Sequence, residues 1–568
     1  MAQRSANRTA KAAPAAAQVA PVPAAPPLVV PEWFKPAVLL LAVALMFIWF
    51  SPEVADSDTW WLLKSGQYIT QTHHLPVPDP FAFTTAGAGA AYPDEPTVRH
   101  FNLTHEWLSE VIFYLTYAAG GFTGLILLRA LLLMGVCACT GLVAYHRTQS
   151  FYWSIAAAVA TASVAVRYVS DRPFLFTFLF VGVTFLILEY RRWMWVLPPL
   201  FLVWANLHGG FILGWAVLGV YCAEPILFRG SRLTTEDRKL FLVSAVSAAV
   251  STLNPNFLDP LRMTMLYRQS RLQVRLWEWQ HTAFWQLEPF TVLLWGGAVV
   301  MLMRSRVVRF TDWLFFLGLS AAAIYAVRNV MIFAIVAPFL IATYFPWKRV
   351  LPPIGQFAAG GLLLLGVGTA VAQGSGLQFR AAQWKYPWGA AKFLVDHHVT
   401  SPMLNSYVDG GFLMWRLWPQ EKVFIDGRAL SDNVFDDFTK IVYNVSGSDP
   451  RKLLDQYHIN TLVLDGFEYT GGEPFRLVAV LGLSRPVEWH LVYWDNTATI
   501  FMKDVPPGIT PLDNSYAINA LEAECQNYIA HDPYHGKCAR GLAELYQQLG
   551  DKTRAQGWMA YYQQHALE

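Results

Sequence analysis

Between residues 31 and 372 the chain alternates apolar runs with short polar connections, and this alternation limits what it can fold into. The runs fall at about 31–50, 122–145, 151–168, 173–190, 193–206, 209–228, 239–253, 288–303, 311–327, 329–345 and 354–372. A helix needs about 20 apolar residues to span a bilayer; the first run has that length, and several later ones are shorter. Hydrophobic residues make up 54% of the chain and charged residues 14%, against about 25% charged in soluble proteins. The expected fold is therefore a polytopic α-helical membrane protein of about 11 spans. Arg147, Arg191 and Arg192, Arg229, Arg232 and Arg238, Arg304, Arg306 and Arg309, and Lys348 and Arg349 fall on alternate connections. With Arg4, Arg8 and Lys11 they mark one cytoplasmic side. An odd number of spans then puts the loop 51–110 and everything after about residue 373 on the outer side. The connection 254–287 carries Arg262, Arg268, Arg271 and Arg275 on that side, against the rule. Its length and amphipathic character predict a helix lying along the outer surface.

Four regions follow. Residues 1–30, rich in Ala and Pro, read as a disordered cytoplasmic tail and not as a cleaved signal peptide. Residues 31–372 form the transmembrane domain. Its loop 51–110 is expected to hold an interfacial helix over Thr59–Gln71 and a second amphipathic helix from about Thr104 to Gly120. Residues 373–510 read as an exported α/β domain, with strands at Met403–Tyr407, Lys422–Ile425 and Thr461–Leu464 and a closing hairpin turning at Asp495-Asn496. Residues 511–568 read as helical, and Tyr534–Leu567 resembles one tetratricopeptide-type hairpin. Cys525 and Cys538 could pair as a disulfide if this part is exported. No C-x-x-C pair suggests structural zinc, and no basic block suggests nucleic acid.

The polar residues that interrupt or flank the runs gather, on this topology, at the outer ends of helices: Asp56, Asp58, His105, Glu106, Asp171, Arg172, Asn206, His208, Asn254, Glu278, Arg328 and Asn329. Ionisable groups at such depth are costly and commonly line a cavity. Asp56 and Asp58 lead the set, since carboxylates at i, i+2 can hold a divalent cation or work as base and orienting partner. Asp58 reads equally as the N-cap of the helix that follows. His105-Glu106 offers a second acid/base or metal-binding pair, although Glu106 in a first helical turn also suits the helix dipole. Arg172 and Arg328 bring planar guanidinium groups suited to phosphate, or side chains that snorkel. Asn206, His208 and Glu278 are expected to line the cavity. Asp409-Gly410-Gly411 and Asp426-Gly427-Arg428 read as turns. Nucleotide-binding, zinc-protease and serine-hydrolase motifs are absent from the sequence.

In layout and in local text the chain resembles the GT-C class of integral-membrane glycosyltransferases. Asp56-Ser57-Asp58-Thr59-Trp60-Trp61, Pro78-Asp79-Pro80-Phe81-Ala82-Phe83-Thr84, His105-Glu106-Trp107-Leu108-Ser109-Glu110 and Val423-Phe424-Ile425-Asp426-Gly427-Arg428 are similar to a group of bacterial membrane proteins of this type. The resemblance implies transfer of a sugar from a polyprenyl-phosphate-linked donor to a glycan, lipid or protein acceptor outside a bacterial cytoplasmic membrane. It implies Asp56, then Asp58, as base or as ligand of a divalent metal (Mg or Mn), with Arg172 or Arg328 on the donor phosphate. The alternative reading is a non-catalytic membrane scaffold that binds a protein partner through its exported part and C-terminal helices.

Overall fold

The structure, a computed structural model, describes residues 28–565 apart from 230–231, 274–275, 347–349, 446, 469–470, 485 and 533–535. The expected tail, up to residue 27, lies outside the described residues, as do Arg275, Lys348 and Arg349 of the topology argument and Tyr534, the start of the tetratricopeptide-like hairpin.

Every apolar run is helical. The first helices are α1 (Phe34–Trp49), α2 (Asp58–Thr72), α3 (Glu95–Thr104), α4 (Trp107–Thr148), α5 (Phe151–Ala165), α6 (Phe174–Tyr190), α7 (Leu197–Leu207) and α8 (Phe211–Arg229). Further apolar-run helices cover Thr235–Val250, Pro289–Met303, Phe310–Tyr325, Val330–Tyr344 and Pro353–Gln373. Among the described residues, four stretches are long and apolar enough to cross a membrane: one within 95–148, and Phe211–Phe228, Val327–Tyr344 and Pro353–Gln373. The helix Pro353–Gln373 packs on α1 through Gly360, which lies against Phe34, and leaves Leu362, Leu364 and Leu365 exposed as a lipid-facing surface requires. At the opposite end from the loop 51–110, Arg147 and Arg309 both pair with Glu189 and Asp312, which ties α4, α6 and Phe310–Tyr325 together.

The loop 51–110 departs from expectation in one respect. An additional helix, α3, precedes the second amphipathic helix, which begins at Trp107 and continues into the apolar run. Only Gly121, at φ +58° and ψ −151°, breaks the continuity, a conformation open to glycine because it lacks a Cβ.

Beyond residue 373 a four-stranded sheet forms from β1 (Met403–Asn405), β2 (Thr461–Leu464), β3 (His490–Trp494) and β4 (Thr499–Met502), in the order β1-β2-β4-β3. β1 and β2 run parallel, and the other pairs are antiparallel. Side chains alternate across the sheet, and both faces are buried. Met403, Val463, Val492, Ile500 and Met502 join the core that extends into the membrane helices. Leu404, Leu462, Leu464, Leu491 and Phe501 join a second core with Leu521, Tyr528 and Leu542 of the C-terminal helices. The sheet is thus the layer that links the membrane body to Tyr516–His531, Cys538–Gln548 and Lys552–His565. A disulfide joins Cys525 to Cys538 within that helical layer.

The expected strand Lys422–Ile425 is not part of the sheet. The Asn405 side chain occupies the adjacent edge: its Nδ2 donates to the Ile425 carbonyl and its Oδ1 accepts from the Phe424 amide, each at 2.8 Å. Val423 instead makes an isolated bridge to Ala82 of the loop 51–110.

Candidate active site

The acidic motif lies where α1 gives way to α2. Asp56 Oδ1 accepts from the Asp58 amide at 2.9 Å, and the Asp56 carbonyl accepts from Thr59 N at 3.3 Å, which shapes the entry to α2. The N-cap position falls on Ser57, with Asp58 as the first helical residue. This corrects the capping alternative for Asp58, whose carboxylate is engaged elsewhere. Arg172, in the connection before α6, donates from Nε to Asp56 Oδ2 at 2.8 Å, and its Nη1 pairs with Asp58 Oδ2 at 2.9 Å. The three side chains keep 12%, 18% and 31% of their surface for Asp56, Asp58 and Arg172, so the cluster is enclosed but reachable.

The two carboxyls differ in character. For Asp56, burial opposes the charge, but Arg172's charge and hydrogen bond outweigh it and hold the group below its ordinary range. For Asp58, burial is the stronger influence and pushes it up to about 7, with Arg172 opposing and Asp56 and Glu278 adding repulsion. The same two carboxylates hold Arg172 firmly charged despite its burial.

The other expected residues gather around this cluster. Glu278 acts electrostatically on Asp58, Glu106 and Arg172. Arg328 lies 4.0 Å from Glu278 and stacks over the Trp279 ring, 4.4 Å from its centre. His105 Nε2 is 3.3 Å from Glu106 Oε1, and its ring lies 6.2 Å from that of His208. The Gly210 amide donates to His208 Nδ1 at 3.1 Å, so Nδ1 accepts and the Thr177 hydroxyl at 2.8 Å donates to the same atom. Asn206 accepts from Trp107 Nε1 at 3.0 Å, which brings the end of α7 to the start of α4. Asn254 and Asn329 are turn-formers that bond to nearby carbonyls.

Sequence reasoning missed three contributors. Arg129, fully buried in α4, pairs with Asp171 at 2.8 Å and also donates to the Phe50 and Pro52 carbonyls. It thereby fixes the chain leading into Asp56 to the residue before Arg172. A lone cation within an apolar run was the available signal. Lys385, from the part beyond residue 373, acts on Asp56; burial lowers it to about 8, against the pull of Asp56, Asp532 and Asp409. The third contributor is the Asp426-Gly427 turn, which sits directly on the acidic motif. A Cβ at Gly427 would lie 2.9 Å from Asp58 Oδ1, and one at Gly411 would lie 3.2 Å from the Ser57 carbonyl oxygen. Asp409-Gly410-Gly411, expected as a turn, is instead the start of a helix, Gly410–Leu417 with Asp409 at its N-cap, and with the Asp426-Gly427 turn it forms a close-packed cover over the start of α2.

That cover is held by the two remaining motifs. Arg428 makes a bidentate pair with Asp79 at 2.9 and 3.1 Å and bonds Asp426 at 2.8 and 2.7 Å, all essentially without solvent contact. The Val423 amide donates to Phe81 O at 3.1 Å, and Phe83 N to Val423 O at 3.2 Å.

The donor set does not suit a resident divalent ion. Such ions take several oxygen ligands at about 2.0–2.6 Å, whereas Asp56 and Asp58 turn oxygens onto a guanidinium. Among the described residues no three His, Cys, Asp or Glu side chains group to hold a metal.

No protein-family model matches the chain, and no curated protein matches it. Solved structures do. The archaeal oligosaccharyltransferase AglB from Archaeoglobus fulgidus, in complex with an inhibitory peptide and a dolichol-phosphate, aligns with a TM-score of 0.52 at 12% identity over 86% of this chain and 77% of its own. The apo oligosaccharyltransferase of the same organism aligns at 0.47 and 12% identity, over 85% and 77%. The chain thus shares its fold with the archaeal oligosaccharyltransferase. Its own helices, four of them among the described residues long and apolar enough to cross a membrane, mark it as a membrane protein, with its acidic motif in the first loop after α1.

Proposed function

We propose that the protein is a glycosyltransferase that moves a sugar from a polyprenyl-phosphate-linked donor to an acceptor on the outer side of a bacterial cytoplasmic membrane. The observation that carries this reading is the Asp56–Arg172–Asp58 cluster beneath the exported cover, on a fold shared with an oligosaccharyltransferase. The topology count puts the loop 51–110, the exported part and the Cys525–Cys538 disulfide outside, where disulfides persist.

Asp58 is the proton acceptor in this account. Its raised pKa makes it a stronger base than an ordinary carboxylate and leaves it ionised in useful amount near neutrality. Asp56, held ionised, fixes Arg172 and through it Asp58. The acceptor hydroxyl attacks the anomeric carbon, its proton passes to Asp58, and the bond from that carbon to the phosphate oxygen breaks with both electrons leaving on the phosphate. Arg328, whose only ion pair among the described residues is the 4.0 Å contact with Glu278, is the cation placed to receive that anion. The test is release of polyprenyl phosphate from polyprenyl-phosphate-linked sugars by the purified protein in vesicles. Release that depends on added acceptor supports the reading. A protein that binds such donors without releasing the lipid phosphate would favour the scaffold.

A further inference from the structure

We infer that Arg172 takes the place that a divalent cation would fill between Asp56 and Asp58, so that the acidic motif works as a guanidinium-bridged pair and needs no metal. The inference rests on the reading of this cluster as the active site, but its test does not.

Carboxylates at i, i+2 on a loop entering a helix repel each other unless a cation lies between them. Here that cation is covalently part of the chain. Arg172 spans the pair with two different nitrogens, Nε on Asp56 at 2.8 Å and Nη1 on Asp58 at 2.9 Å, a use of the planar fork that lysine cannot reproduce. Three of the four carboxylate oxygens are accounted for, because Asp56 Oδ1 accepts from the Asp58 amide at 2.9 Å. The fourth, Asp58 Oδ1, faces Gly427 under the cover. An ion bound to both Oδ2 atoms would sit against the guanidinium, cation beside cation in a partly buried site.

Nor is Arg172 a loosely held surface side chain that a metal could push aside. The residue before it, Asp171, is locked to Arg129 at 2.8 Å, and Arg129 is tied to the carbonyls of Phe50 and Pro52 at the root of the acidic loop. The bridge is therefore preorganised from both ends.

The experiment uses the purified full-length protein in nanodiscs, with Mn2+ alone as probe and EDTA as control. Thermal unfolding and the Mn2+ electron paramagnetic resonance signal are both recorded. For the wild type we expect an unfolding midpoint that moves by less than about 1 °C between millimolar Mn2+ and EDTA, and no bound Mn2+. Arg172→Met leaves two adjacent carboxylates without a cation, and this variant should acquire Mn2+ binding that Asp56→Asn then removes. Arg172→Lys, which keeps the charge, should bind none. Stoichiometric Mn2+ on the wild type, lost on Asp56→Asn, would overturn the inference. So would an Arg172→Met protein that folds and remains blind to Mn2+. Neither readout involves sugar transfer, so failure of the transferase reading would leave this result standing.

Discussion

Replacing Arg428 by Met tests whether the part beyond residue 373 is held onto the first loop by charge. Arg428 and Asp79 have side chains that are 1% exposed, and Asp426 is 2% exposed, so no water can take over when the guanidinium is removed. Asp79 would keep the amides of Phe81 and Ala82 at 3.1 and 3.3 Å, and Asp426 the amide of residue 428 at 3.0 Å. Those bonds do not cancel two buried negative charges. Losing one partner of a buried ion pair costs about 3–5 kcal/mol. At about 1.4 kcal/mol per factor of ten, amide hydrogen exchange at residues 81–83 and 423–428 should quicken about a hundred- to a few-thousand-fold. Mass spectrometry of the protein in nanodiscs reads this directly. Adding Asp79→Asn and Asp426→Asn to Arg428→Met removes the orphaned charges and should recover most of the protection. A change below about fivefold in the single variant would refute the reasoning, as would a triple variant no better protected than the single one.

Further outcomes follow from the structure. If Asp58 accepts the proton, kcat/KM should rise about tenfold per pH unit below about 7 and level off above it, and Asp58→Asn should abolish that limb. The sign for stability is opposite: folding raises this group from 3.8 to about 7, so the stability it lends at low pH is lost as pH rises through that window, visible as proton uptake on folding. Gly427→Ala should lower transfer by at least tenfold with little change in expression, because its Cβ enters contact with Asp58 Oδ1 at 2.9 Å, and steady-state assays would show it. Cys525→Ser should cost about 3 kcal/mol for a loop of this size and lower the unfolding midpoint of the C-terminal helices. A cysteine at Lys392, whose side chain is 71% exposed, should be labelled by impermeant maleimide from the outer side only.

How much of this was legible beforehand depended on sequence distance. Asp56 and Asp58 stood out because carboxylates at a helix exit are readable locally, and the topology argument grouped them with His105, Glu106, Asn206, His208, Glu278 and Arg328. What pairs with what was not readable. Arg172 and Asp56 are 116 residues apart and Arg428 and Asp79 are 349 apart, so only the fold joins them. Asp79 and Arg428 lay in stretches already singled out, yet their meaning emerged from each other. The segment Lys422–Ile425 has the composition of a strand, but a side chain, Asn405, closes the sheet edge it would have joined. Asp58 likewise has the local signature of a cap, and a long-range cation decided its use.

The most direct measurement is transfer by an Asp56→Asn/Asp58→Asn protein compared with wild type at matched expression, with purified protein, a polyprenyl-phosphate-linked donor and its acceptor. Release of lipid phosphate from the double variant should fall to the uncatalysed background while donor binding persists. Undiminished release from a folded double variant would contradict the account, because the proposed proton acceptor and the carboxylate that fixes Arg172 beside it would both be gone.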